Sequence, residues 1–193
     1  MHTAAKIMAV VAGALVLASC GQTQNTAAPT SSSPSTSANT AAGPTSTALP
    51  TQRKGKECTA DDITTTGKFG EKPTITIPDS CDPPTKLITK DLSVGTGPAA
   101  KAGDELNMNY LLVTWSDKKV LDNSYDRKQL FDLTLGAGAV IPGWDQGLAG
   151  IKQGGRRLLI IPPDLAYGEG GQGIQPNETL VFVTDAVTVT PKA

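Results

Sequence analysis

Apolar and polar side chains alternate most clearly over residues 105–115, where Leu106, Met108, Tyr110 and Leu112 are separated by Glu105, Asn107 and Asn109. A period of two sends successive side chains to opposite faces of a strand, so this stretch predicts a half-buried β-strand. The same period returns over 130–135 as Leu-Phe-Asp-Leu-Thr-Leu and, briefly, over 74–77 before Pro78. Residues 86–94 carry Leu87, Ile88 and Leu92 and stop at Gly95-Thr96-Gly97-Pro98. A short apolar run over 156–161 ends at two prolines, and 179–190 is a long run of Val, Phe, Thr and Leu. Their β-branched content and turn-residue boundaries point to strands. One place breaks the pattern. In Val140-Ile141-Pro142-Gly143-Trp144 the proline suits the first turn of a helix, which would put Trp144 in that turn. The fold class expected is α+β: an antiparallel sheet of five or six strands wrapped around one short helix.

The first fifty residues follow different rules. Residues 7–19 are apolar or small throughout, preceded by Lys6 as a single positive charge. Thirteen such residues fall short of the roughly twenty that span a bilayer but fit the apolar part of an export signal. The segment ends Leu17-Ala18-Ser19-Cys20-Gly21, which resembles a bacterial lipoprotein processing site. That resemblance implies that 1–19 is a signal peptide and that Cys20 is acylated. It places the chain at the cell membrane, lipid-anchored on the extracytoplasmic face; simple secretion without the anchor is the alternative. Residues 22–50 are almost wholly Ser, Thr, Ala, Pro, Asn and Gln, without charge. Nothing there offsets the entropy of ordering the chain, so 20–56 reads as a tether spanning roughly 30 Å.

About 137 residues remain from Glu57, enough for one domain. The formal net charge of the whole chain is −1, with no basic stripe, and nucleic acid is not an expected partner. Cys58 and Cys81 are the only cysteines beyond Cys20. In an exported chain they are expected to pair, within an N-terminal extension over 57–84, a pair of free thiols being the alternative. The single histidine is His2, inside the signal, so the processed chain has no Ser-His-Asp triad, no Cys-His pair and no usual zinc set. Gly168-Glu169-Gly170-Gly171-Gln172-Gly173 is not followed by a helix pattern and reads as a loop, not a phosphate cradle. No metal or cofactor is expected.

From about Leu92 to Thr190 the chain resembles an FKBP-type peptidyl-prolyl cis-trans isomerase domain, placed at 85–193. Tyr110, Leu121-Asp122-Asn123-Ser124, Phe131, Leu135-Gly136, Val140-Ile141-Pro142-Gly143-Trp144, Leu165-Ala166-Tyr167-Gly168 and Thr179-Leu180-Val181-Phe182 carry it, by order and spacing. The resemblance implies an apolar cleft floored by Trp144, with Tyr110, Phe131, Val140, Ile141, Ile174 and Phe182 as walls. Tyr167 would sit at the rim, Asp122 would supply an edge carboxylate steadied by Arg127, and the Ile141 N–H would bond a substrate carbonyl. Catalytic roles are implied for Tyr110, Asp122, Phe131, Trp144, Tyr167 and Phe182, and substrate contacts for Leu121, Arg127, Val140, Ile141 and Ile174. Five of the chain's aromatics, two Trp, three Tyr and three Phe in all, fall at these positions.

The implied partners are proline-containing segments of exported proteins and macrolides of the tacrolimus and rapamycin type, bound by a monomer. A non-catalytic module binding the same segments is the alternative. Three departures from the family pattern stand out. Leu121 replaces a frequent aromatic, and the 169–175 loop that overhangs the cleft with Gln172 and Ile174 is short. Leu111-Leu112 stands where small polar residues are common, which would leave apolar surface exposed.

Overall fold

The computed structural model describes residues 55–193. The signal, Cys20 and the tether up to residue 54 lie outside the described residues. The described residues form eight strands: β1 (Thr64–Thr66), β2 (Thr74–Thr76), β3 (Ile88–Ser93), β4 (Glu105–Thr114), β5 (Val120–Asn123), β6 (Phe131–Thr134), β7 (Arg156–Ile161) and β8 (Leu180–Thr190). Two short helices, α1 (Ser124–Arg127) and α2 (Pro142–Gly147), and one 3-10 turn (Pro163–Leu165) complete the set. No helix among the described residues is long and apolar enough to cross a membrane.

Six strands form one antiparallel sheet in the order β3-β7-β8-β4, with β5 and β6 sharing the outer edge of β4. The alternation that predicted β4 decides what lies on each face. Met108, Tyr110, Leu112, Leu159, Ile161, Leu180 and Phe182 belong to one core, shared with Trp144 and Leu148. Their neighbours Leu111, Val113, Leu158, Ile160, Val181 and Val183 belong to a second core on the opposite face.

That second core shows what residues 57–84 do. Cys58, Ile63, Ile77 and Cys81 pack into it, and a disulfide joins the two cysteines across 23 residues of sequence. β1 and β2 pair as a hairpin, Thr65 opposite Ile75. The extension therefore covers a face that would otherwise meet solvent. Leu111 is 1% exposed beneath it, so the apolar surface expected from Leu111-Leu112 is buried rather than open. The same covering explains why all six residues of β7 are buried and lack alternation: a strand covered on both faces has no solvent side to mark.

A buried ion pair binds the extension to the sheet. Arg156 and Asp185, 2% and 0% exposed at their side chains, meet at 2.6 Å. Arg156 also donates to the carbonyls of Gly67 and Glu71 at 2.8 and 2.6 Å, and the Gly70 N–H donates to Asp185 at 2.7 Å. On the other face Arg157 donates to the carbonyls of Gly147 and Ala149 at 2.9 Å each, occupying acceptors at the end of α2.

Candidate active site

Helix α2 starts at Pro142, whose missing N–H costs nothing in a first turn. Ile141 precedes it with φ −58° and ψ 145°, and its carbonyl accepts from the Trp144 N–H at 2.9 Å. That turn buries the Trp144 indole in the core, 4% exposed. Three rings meet it edge to face: Tyr110 at 5.4 Å, Phe131 at 5.5 Å and Phe182 at 5.4 Å between centroids. Tyr110 also meets Phe131 at 5.8 Å. Such edge-to-face contacts each add about 0.5–1.5 kcal/mol beyond area burial, so the rings hold one another in place. The indole Nε1 is the one buried side-chain polar atom without a hydrogen-bond partner among the described residues.

These rings line a cavity of about 550 Å³, within the size range of small-ligand sites. Of the residues singled out in the sequence, the structure brings together Tyr110, Asp122, Phe131, Val140, Ile141, Trp144, Tyr167 and Phe182 around it. Leu121, Arg127 and Ile174 do not line it. Leu121 is 40% exposed on β5, beside Asp122. Ile174 is buried in the core cluster, closing a tight turn by mutual backbone bonds with Gly171 at 3.0 and 2.9 Å. Gln172, at the tip of that turn with φ +54°, does line the cavity. Leu112, Gly138, Ala139 and Ala166 complete the wall. Leu112 was legible, being two residues beyond Tyr110 on the same face of β4. The small residues carried no apolar signal; they leave room rather than fill it. Asp145 fixes their loop by accepting from Gly136 and Gly138 N–H at 2.8 and 3.1 Å.

The polar edge is a closed set of bonds. The Tyr110 hydroxyl donates to Asp122 and accepts from Arg127 Nη2 at 2.8 Å, while Arg127 Nη1 pairs with Asp122. The Asn123 N–H donates to Asp122 at 2.8 Å. The Arg127 guanidinium also stands 5.6 Å from the Tyr110 ring centroid. Burial pushes the Tyr110 phenol above its usual value, and the Asp122 carboxylate beside it acts in the same direction. Burial would raise the Asp122 carboxyl too, but the bonds from Tyr110 and Arg127 outweigh it and hold the group below its ordinary range. The carboxylate thus accepts from Tyr110, Arg127 and the Asn123 N–H together. It holds Tyr110 and is not a free base.

Asp122 and Arg127 owe their geometry to α1 between them. Asn123 caps the helix by accepting from the Asp126 N–H at 2.8 Å, and Lys128 ends it with φ +52°. The Ser124 hydroxyl accepts from the Tyr110 N–H at 2.9 Å and donates to Asn109 at 2.8 Å. It fills the gap in the β4 ladder between β5 and β6. The one grouping of metal-ligand side chains among the described residues is Cys58, Asp62 and Cys81, and two of its members are spent in the disulfide.

A six-stranded antiparallel sheet with one short helix seated on it, and an aromatic cavity between them, defines the class of FKBP-like domains. Residues 97–187 match the family model for FKBP-type peptidyl-prolyl cis-trans isomerase. An FK506-binding protein of Streptomyces anulatus is 48% identical over 122 residues, covering 62% of this chain and 98% of the relative. One from Neisseria meningitidis serogroup B is 42% identical over 106 residues, covering 53% and 95%. The crystal structure of FkpA from Escherichia coli superposes with a TM-score of 0.51 at 44% identity, covering 55% of this chain and 49% of that one. The chain belongs to the FKBP-type peptidyl-prolyl cis-trans isomerase family.

Proposed function

We propose that this isomerase is held at the extracytoplasmic face of the cell membrane by an acylated Cys20, where it catalyses prolyl isomerisation in exported proteins as a monomer. The processing-site sequence and the uncharged stretch over residues 22–50 support the location. The Cys58–Cys81 disulfide supports an oxidising compartment.

In this reading the cavity receives the proline ring, with Trp144 beneath it and Tyr110, Phe131 and Phe182 around it. The barrier to rotation about an X-Pro bond comes from amide resonance, so uncatalysed exchange takes tens to hundreds of seconds. Resonance separates charge between carbonyl oxygen and imide nitrogen, and twisting the bond removes that separation. A water-excluding aromatic wall disfavours the planar, charge-separated form relative to the twisted one. No proton moves and no covalent bond forms, in keeping with an edge carboxylate engaged by Tyr110, Arg127 and the Asn123 N–H. The Ile141 N–H and the Tyr167 hydroxyl, neither bonded to another group among the described residues, would take the substrate carbonyls. Each tenfold in rate needs about 1.4 kcal/mol of such differential stabilisation.

The observation that carries the reading is the ring of Tyr110, Phe131 and Phe182 on Trp144. The test is cis-trans exchange of a short X-Pro peptide with the purified protein, alone and with a macrolide of the tacrolimus type. Accelerated exchange that the macrolide suppresses is expected. Macrolide binding without acceleration would leave only a binding module.

A further inference from the structure

The extension on the far face of the sheet reaches the cavity's polar edge at one element, α1. Lys72 Nζ lies 2.8 and 2.6 Å from the two carboxylate oxygens of Asp126. The neighbouring Tyr125 hydroxyl donates to Asp185 at 2.9 Å and accepts from Arg156 at 3.1 Å. The same Arg156 and Asp185 hold the backbone of Gly67, Gly70 and Glu71. Residues 67–72 are therefore bound at once to the buried pair and, through it and Lys72, to two of the four residues of α1.

A single helical turn has no stability of its own. The orientation of α1 is set by what it is tied to: Ser124 to β4, Tyr125 to the Arg156–Asp185 pair of β7 and β8, and Asp126 to Lys72 of the extension. If α1 turned about the Ser124 attachment, Arg127 would part from Asp122 and from the Tyr110 hydroxyl.

We propose that residues 57–84 are a positioning element of the isomerase site, acting on α1 directly through Lys72 and Asp126 and indirectly through the Arg156–Asp185 pair that they share with Tyr125, and so on Asp122, Arg127 and Tyr110. The proposal rests on the reading of the aromatic cavity as the prolyl site. Neither Lys72 nor Tyr125 lines that cavity; both work through α1. The Lys72–Asp126 pair is 44% and 63% exposed, and such pairs add little to stability. Its effect on rate is thus separable from its effect on folding.

The test compares Lys72→Met, Tyr125→Phe and the double variant in kcat/KM for an X-Pro peptide, with thermal melting alongside. The double variant is expected to lose roughly tenfold in kcat/KM, or about 1.4 kcal/mol at the transition state, and Lys72→Arg to recover the part lost in Lys72→Met. In an Asp122→Asn background the same pair of substitutions is expected to cost nothing further. An equal loss in both backgrounds, or no loss in the first, overturns the positioning role. If Tyr125→Phe weakens the fold, Lys72→Met and its rescue by Lys72→Arg decide. Trp144→Ala separates the two readings. Activity lost there but kept in the double variant sinks the positioning role alone, whereas activity kept in Trp144→Ala sinks the site assignment and the proposal with it.

Discussion

Gly143 and Ile161 approach so closely that a β-carbon on Gly143 would stand 2.3 Å from Ile161 Cγ2 and 2.9 Å from its Cδ1. Helix α2 can lie against β7, with Trp144 over the sheet, because residue 143 has no side chain. Gly143→Ala must push the helix away from the strand or force Ile161 into a poorer rotamer. A destabilisation of about 1–3 kcal/mol is expected, read by thermal denaturation. A fall in isomerase activity is expected even well below the melting temperature, because Trp144 moves with the helix.

The disulfide predicts a second loss, on the opposite face of the sheet. Cys58 and Cys81 are separated by 23 residues, and opening a loop of that size costs about 3 kcal/mol on the chain-entropy estimate. Cys58→Ser with Cys81→Ser should lower the denaturation midpoint accordingly. Treatment of the unaltered protein with a reductant should lower it by a similar amount.

Breaking the buried pair should cost more. Arg156→Met leaves Asp185 charged, 0% exposed and without its guanidinium partner, for which about 3–5 kcal/mol is expected. Adding Asp185→Leu removes the stranded charge. Part of the loss should return in urea denaturation of the double variant, although the turn at 67–71 still lacks its anchors.

The pH dependence follows from the polar edge. The folded Asp122 carboxyl lies below its ordinary value, so its contribution to stability is present above the unfolded value of about 3.9 and is lost as pH falls through the folded one. The Tyr110 phenol lies above its ordinary value of about 10, so its contribution is present below that and lost as pH rises through the folded value. Neither group titrates between these limits. The kcat/KM profile should therefore be flat from about pH 5 to pH 9, and a bell-shaped profile centred near neutrality would contradict it.

Much of this was legible in the sequence because period and punctuation are local. The alternation of Leu106, Met108, Tyr110 and Leu112 located β4, and Pro142 located the start of α2. The doubly covered sheet was not legible. Leu111, Val113, Leu158 and Ile160 read as exposed or simply core until Cys58, Ile63, Ile77 and Cys81 are seen against them. Contacts between residues so far apart in sequence leave no periodic trace. Helix α1 was missed for a related reason: four residues carry no period, and only the cap at Asn123 marks them. At the cavity, aromatic side chains were visible by type, whereas Gly138 and Ala139 line it by being small.

The central claim is that the Trp144 cavity is where prolyl isomerisation occurs. It is tested most directly by comparing two cavity-forming substitutions around α2, Trp144→Ala and Leu148→Ala. Leu148 is fully buried in the same core but does not line the cavity. Each should cost about 2–5 kcal/mol of stability. Measured at a temperature where both variants remain folded, kcat/KM for an X-Pro peptide should fall at least about tenfold for Trp144→Ala and change little for Leu148→Ala. Equal losses, or none in Trp144→Ala, would contradict the account.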